Sequence, residues 1–463
     1  MCNPFQHHPS LLPLYKNHLN MLQGNFAKLL TEQNYQGLLI HAGEAQLKFL
    51  DDSHYPFKAN PHFVYWVPLI THPQAFLWIE GSSSANSANT RPILFIYQKN
   101  TYWYKLPTLP CGEWSNLFEV RPYSSSEDEI HAALSSKFAE SAYIGPNPEL
   151  HHQWNFKAVN PEKLLVEIHY QRTLKSEYEQ ECIRIATDSA VRAHLRGYHL
   201  FKEGRSSELE IHLNYIRELS VKEEGTPFDN IVAFNESASL LHYIDYDPTP
   251  AGPASKPLHS MLLDAGAYFH GRAADITRTY AFYQTSEFAD LVAAMDALQL
   301  KIISQLKVGS LYTEHHEQCH LLIAQLLLDF HFISELPADE IFKRKISHIF
   351  FPHGLGHQLG VQVHDVGGKE LRTAKDKNVI PENHPYLRFI SEIQNGHVFT
   401  VEPGLYFIDF LLKELHAGEN SKFMNWSKIE SFKKYGGIRI EDNIIVHDNL
   451  IDNVTRKSFQ KQH

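Results

Sequence analysis

Residues Met261–Tyr283 constrain the fold more tightly than any other stretch, because their own chemistry specifies a hairpin. Leu262, Leu263, Ala265 and Ala267 lead into His270-Gly271, a pair suited to a tight two-residue turn. That turn sets Asp264 opposite Thr277. Asp275 lies two places from Thr277 along the same strand and so shares its face. Two carboxylates thus project from one side of the hairpin, diagonally related. Either acid alone reads as part of a solvated strand face. That reading explains less well why both stand within otherwise apolar strands.

Two further acids have similar surroundings. Glu402 sits in Phe-Thr-Val-Glu-Pro-Gly-Leu-Tyr-Phe, a segment too apolar for an unpaired charge. Glu441 sits in Gly-Gly-Ile-Arg-Ile-Glu-Asp-Asn-Ile-Ile-Val, where alternation puts Arg439 and Glu441 on one face and Ile438 and Ile440 on the other. The stretch Phe351–Gly368 adds His353, His357 and His364 among five glycines. Taken alone it reads equally well as a glycine-rich turn in a chain with 30 histidines. Four acids in apolar strands, plus an imidazole, need cations to offset their mutual repulsion. Two divalent ions would balance four carboxylates. Oxygen-rich ligation with one nitrogen suits Mn²⁺, Co²⁺, Fe²⁺ or Zn²⁺, and a two-metal centre activates water for hydrolysis.

The whole chain excludes several alternatives. Its 53 acidic residues against 42 basic ones give a net charge of −11, which disfavours nucleic acid or an anionic membrane as the main partner. The first ten residues lack the basic start and apolar run of a signal peptide, and no apolar stretch approaches a membrane span. Cys2, Cys111, Cys182 and Cys319 are scattered without metal or disulfide spacing, so a reduced cytoplasm is expected.

In chain order, residues 11–35 read as a helix. Strand-type runs follow at Gly37–His41, Phe63–Ile70, Ala75–Glu80 and Pro92–Tyr97, with a turn at Ser82–Asn89. Asp51-Asp52, between aromatics, read as a cap or turn. A helical stretch from Ser126 to Phe138 leads to a short strand at Ala142–Ile144. Residues 1–168 are therefore expected to form an N-terminal α/β domain. Beyond it, capping boxes at Ser176–Glu179 and Ser207–Glu210 open two helices. Strand-type segments come next, at Asn230–Asn235, Leu240–Tyr243 and the hairpin. Two more helical patterns, Ser286–Leu306 and Tyr312–Phe330, lead to Phe399–Phe407 and Gly437–His447. Helices then strands, twice over, predict an α+β domain of two similar halves at 169–463.

Asp-Ala-Gly-Ala…Ala-Asp-Ile-Thr-Arg-Thr, His-Gly-Leu-Gly-His…His-Asp-Val-Gly-Gly, Val-Glu-Pro-Gly and Gly-Ile-Arg-Ile-Glu-Asp-Asn together resemble the pita-bread (creatinase/aminopeptidase-like) metallopeptidases. With Phe-Leu-Asp-Asp…Tyr-Pro-Phe-Lys near the start, the match covers nearly the whole chain in order. It looks most like the branch holding bacterial prolidases and organophosphorus acid anhydrolases. The resemblance implies cleavage of dipeptides with C-terminal proline, with aminopeptidase P-type cleavage or phosphotriester hydrolysis as the rival activities. It implies two divalent ions per subunit, Mn²⁺ first and Co²⁺, Zn²⁺ or Fe²⁺ as alternatives, held by Asp264, Asp275, His357, Glu402 and Glu441. His357 takes that place because the family's ligand precedes a substrate-side histidine by seven residues, and His364 stands there.

Glu402 then doubles as the proton shuttle, with His364 and His242 on the substrate side. His353, Arg439, Val363 and Phe228 are expected to contact substrate. Phe228 stands where relatives carry tyrosine, so one pocket hydroxyl is missing and no metal ligand is touched. Arg388, fourteen residues before Glu402, matches the arginine that binds the carboxylate of the substrate's proline. Asp51-Asp52 match a loop that enters the partner's active site, which implies a homodimer with Asp52 lining the neighbour's pocket.

Overall fold

The computed structural model describes residues 2–81, 91–146, 154–222, 225–252, 257–369 and 380–462. The turn expected at Ser82–Asn89 lies outside them. The chain divides into two compact units, Met1–Gln171 with Ser176–Cys182, and Arg172–Lys175 with Ile183–His463.

The first unit is built on a six-stranded sheet of order β4-β3-β2-β1-β5-β6: β1 Gly37–His41, β2 Phe76–Glu80, β3 Ile93–Tyr97, β4 Glu119–Tyr123, β5 Ala142–Ile144 and β6 Ala158–Val159. β1 is buried along its whole length, as its Gly-Leu-Leu-Ile run requires for a central strand covered on both faces. The helix Leu11–Glu32 buries Leu11, Tyr15, Leu19, Leu22, Phe26 and Leu29, a stripe at spacings of three and four.

Two expectations need correction here. Phe63–Ile70, read as a strand from its aromatic and β-branched content, begins as the helix Pro61–Trp66. The Asn60 side chain accepts from the His62 N–H and Pro61 occupies the first helical turn, so a local cap overrides residue propensity. Cys2 and Cys111, read as unpaired, form a disulfide with sulfurs 2.09 Å apart. The partners lie 109 residues apart, beyond anything spacing reveals, and the Cys111 N–H donates to the Cys2 carbonyl. The pair runs against the argument that these cysteines mark a reduced compartment. Cys182 and Cys319 are buried and stand outside this disulfide.

In the second unit, the helix Glu177–Glu203 from Ile183 onward and the helix Glu208–Leu219 precede β7 Ile231–Phe234, β8 Ser260–Phe269 and β9 Arg272–Ala281, which form one antiparallel sheet. The helices Glu287–Gln305 and Tyr312–Asp329 precede β10 Val398–Val401, β11 Gly404–Tyr406, β12 Gly437–Arg439, β13 Asp442–His447 and β14 Leu450–Asn453. β10, β13 and β14 make a second sheet, and β11 pairs with β12. The capping box at Ser176 forms as expected, with the Ser176 N–H donating to Glu179 and the Glu179 N–H to the Ser176 hydroxyl.

The β8–β9 hairpin has the predicted register. Asp264 faces Thr277 and Gly266 faces Asp275, with His270 and Gly271 both at positive φ in the turn. Leu240–Tyr243 is not a strand; it follows a 3₁₀ turn at Asn235–Ser239 as irregular chain. The two long C-terminal runs are broken, between β10 and β11 at Glu402-Pro403 and between β12 and β13 at Ile440-Glu441. The breaks fall on the two acids. Proline cannot donate to a ladder, which accounts for the first. Among the described residues no helix is long and apolar enough to cross a membrane.

Candidate active site

The hairpin supplies the first two acids, and chain pairing brings the rest to it. Thr277 and Glu441 form an isolated bridge, in which the Glu441 N–H donates to the Thr277 carbonyl at 3.0 Å and the Thr277 hydroxyl donates to the Glu441 carboxylate at 2.7 Å. The histidine-bearing stretch runs beside β10. Leu359 donates to Val398, Thr400 to His357, and Glu402 to Leu355, at 2.8–3.0 Å. Gly356 makes this approach feasible, because a Cβ there would overlap the Thr400 carbonyl oxygen. His357 and Glu402 are thereby set side by side.

At the centre, His357 Nε2 stands 3.5 Å from Asp275, 3.6 Å from Glu402 and 3.7 Å from Glu441. One ligand atom each from Asp275, His357 and Glu441 lies within 4.8 Å of the others. His357 Nδ1 faces the Gln358 carbonyl at 3.0 Å, which orients Nε2 toward the carboxylates. Asp264 is turned partly aside: its Oδ2 accepts from Arg439 Nη2 at 2.6 Å. Arg439 also donates to the Thr277 hydroxyl at 3.2 Å and to the Tyr406 hydroxyl at 2.8 Å.

Electrostatically the cluster is incomplete as a protein-only site. Burial pushes the carboxyls of Asp275 and Glu402 well above the usual range, and the neighbouring Glu441 pushes them further. Burial also raises Asp264, against the pull of Arg439. Burial disfavours a charged His357, yet its contacts with Asp275 and Glu441 outweigh that and lift its pKa well above the ordinary value. Asp264 Oδ1 and Asp275 Oδ1 are buried without a hydrogen-bond partner among the described residues. Buried carboxylates gathered with one imidazole, two of them carrying an orphaned oxygen, are the donor set a hard or borderline divalent cation requires, so the residues fit a metal.

A cavity of ≈ 810 Å³ opens over this cluster. It is lined by Asp264, Asp275, His357, Glu402 and Glu441, and by Phe228, His242, His353, Val363, His364, Arg388 and Arg439. Asp52 lies in the other unit, exposed at the tip of the loop closed by the Leu47–His54 bridge. His353 is hydrogen-bonded through Nε2 to the Tyr406 hydroxyl at 2.8 Å and faces the Gly354 carbonyl through Nδ1. Burial, helped by the nearby Arg439 charge, pulls its pKa down to about 3, so it is a neutral imidazole. Enclosure and then the neighbouring His357 pull His364 below its ordinary value as well.

Sequence reasoning missed Tyr406, Thr277 and Thr400. Tyr406 joins His353 to Arg439, and burial raises its own pKa to about 12. Its signal was present: it lies on the strand after Glu402, four residues on, beside a proline break.

Residues 13–170 match the Xaa-Pro dipeptidase N-terminal domain, and residues 181–448 match metallopeptidase family M24. The chain is 44% identical over 446 residues to the Xaa-Pro dipeptidase of Pseudoalteromonas haloplanktis, covering 96% of this chain and 98% of that protein. It is 42% identical over 443 residues to that of Colwellia psychrerythraea, covering 96% of each. Zinc-substituted Escherichia coli aminopeptidase P in complex with product superposes with a TM-score of 0.70 at 20% identity over 95% of both chains, a likeness of fold. Fold and site thus define a pita-bread metallopeptidase. The chain belongs to family M24, with the N-terminal domain of its Xaa-Pro dipeptidases.

Proposed function

We infer that the chain is an Xaa-Pro dipeptidase, a metal-dependent hydrolase of dipeptides with C-terminal proline. The observation that carries this is full-length identity to Xaa-Pro dipeptidases combined with a buried carboxylate–imidazole centre at the floor of a cavity. Asp264, Asp275, His357, Glu402 and Glu441 would hold two divalent ions, Mn²⁺ first among them; the orphaned carboxylate oxygens support this. Bound there, such ions supply Lewis-acid polarisation and acidify water.

The chain's own groups do the rest. Glu402 takes the proton of the attacking water and passes it to the leaving proline nitrogen. His364 and His242 donate to the oxygen that gains charge at the scissile carbonyl. Neutral His353 and the Arg439 guanidinium fix the substrate's orientation, with Val363 and Phe228 as apolar walls. Arg388, exposed at the cavity rim, grips the proline carboxylate in its planar fork.

The dimer belongs to the same proposal. Phe49 and Leu50, 87% and 91% exposed, stand immediately before Asp51-Asp52, and Tyr102 and Trp103 of the same unit are similarly bare. Exposed apolar surface of this kind marks a contact site, so a second copy would cover it and receive Asp52 beside the substrate's ammonium. The division of roles at 168/169 is likewise a proposal, supported by a compact unit whose first and longer segment ends at Gln171. A cytoplasmic location completes it, supported by the buried thiol of Cys319, while the Cys2–Cys111 disulfide runs against it.

The test compares one Xaa-Pro dipeptide, its tripeptide extension and a phosphotriester with added Mn²⁺. The dipeptide should be cleaved fastest. Faster tripeptide cleavage would favour an aminopeptidase, and faster triester cleavage a phosphotriesterase.

A further inference from the structure

A second cluster of metal-ligating side chains lies away from the carboxylate centre. His316 and His320 are one turn apart on the helix Tyr312–Asp329, so both imidazoles project from one face. His384 meets them from a turn closed by its own N–H on the Pro381 carbonyl and by the Leu387 N–H on the His384 carbonyl, at 2.8 and 3.1 Å. One nitrogen from each ring lies within 4.8 Å of the other two, and all three residues are buried. His316 Nε2 approaches His384 Nδ1 at 3.0 Å.

A merely structural reading of these rings leaves polar atoms unexplained. His316 Nδ1 and His320 Nδ1 are buried with no hydrogen-bond partner among the described residues. Around His320 lie the rings of Phe342 and Phe351, with the His348 imidazole stacked on it at 4.0 Å. The segment His316-Glu317-Gln318-Cys319-His320 also has the spacing by which a helix presents two imidazoles to zinc with a carboxylate beside them. The Glu317 carboxylate lies 4.0 Å from His384 Nε2, on the solvent side.

We propose that His316, His320 and His384 form a second metal site, taking a divalent ion of the zinc class, with Glu317 closing it from solvent. An imidazole-rich site prefers zinc, copper or nickel and so differs in kind from the oxygen-rich centre. Its burial makes it structural and closed to substrate. The turn that carries His384 also carries Tyr386 and Arg388 in the cavity wall, so the ion ties that wall to the helix.

The site is tested by loading the intact protein with zinc and locating zinc by anomalous diffraction at its absorption edge. A peak among the three imidazoles is expected; zinc at the carboxylate centre alone would overturn the assignment. In solution, His384→Gln should lose about one equivalent of zinc relative to wild type. Glu441→Gln should lose zinc from the other centre and keep this one. Equal zinc content in wild type and a folded His384→Gln protein would also overturn it. Should that variant fail to fold, the anomalous map of the wild type decides.

Discussion

Replacing Asp365 by Asn removes one carboxylate that serves two buried cations. Arg172 and Lys175 both reach it, Lys175 Nζ at 3.0 Å, and all three side chains are 1% exposed. Arg172 Nη2 retains a bond to the Gln362 side-chain oxygen Oε1 at 3.0 Å, which cannot balance its charge. Removing one partner of a buried ion pair costs about 3–5 kcal/mol, chiefly from the charge left behind. The Arg172 charge is left behind here, so a loss of about 3–5 kcal/mol is expected, a large share of a typical folding free energy of roughly 5–15 kcal/mol.

The pH dependence of this loss has a definite sign. Burial alone would raise the Asp365 carboxyl, but Arg172 and Lys175 outweigh it and hold its pKa below the usual range. A depressed folded pKa gives stability that is present above the unfolded value and lost as pH falls through the folded one. The gap between wild type and Asp365→Asn should therefore be full at pH 7 and narrow in strong acid. Urea unfolding followed by tryptophan fluorescence and far-UV circular dichroism, at both pH values, measures it. An unchanged midpoint at pH 7, or a gap that stays constant into acid, would refute the reasoning. Replacing all three residues by apolar ones of similar size should recover most of the loss.

Arg388→Ala should lower kcat/KM on Xaa-Pro dipeptides by roughly ten- to a hundredfold, the equivalent of a lost charge-assisted contact, while metal content by mass spectrometry stays the same. The preference for free over amidated dipeptide should shrink with it. Tyr406→Phe leaves a buried Arg439 N–H and the His353 Nε2 without their shared partner; about 1.5–3 kcal/mol of stability should go, read as a lower denaturation midpoint. Phe49→Asp with Leu50→Asp should convert a dimer to monomer by sedimentation and lower dipeptidase activity; a fully active wild-type monomer would count against Asp52 acting in the neighbour's pocket.

What could be read in advance follows the range of the interactions. The hairpin was legible because turn and register are set within a dozen residues, and Asp264 and Asp275 came with it. Glu402 and Glu441 stood out as charges in apolar runs, although both occupy strand breaks rather than the continuous strands expected. The Pro61–Trp66 helix was hidden because a single Asn60 cap outweighed strand-forming residues. The Cys2–Cys111 bond, the Arg172–Asp365–Lys175 group and the Tyr406 bridge join residues far apart in the chain, and no local pattern records such meetings. His384 is a similar case. It lies 68 residues from His316, the helical imidazole it meets.

The central claim is metal-dependent cleavage at proline, and one measurement reaches it directly. Protein stripped with a chelator is assayed on an Xaa-Pro dipeptide before and after Mn²⁺ is returned. The carboxylate–imidazole centre predicts no turnover in the stripped protein and recovery on adding the metal. Full turnover in protein shown by mass spectrometry to be metal-free would contradict it.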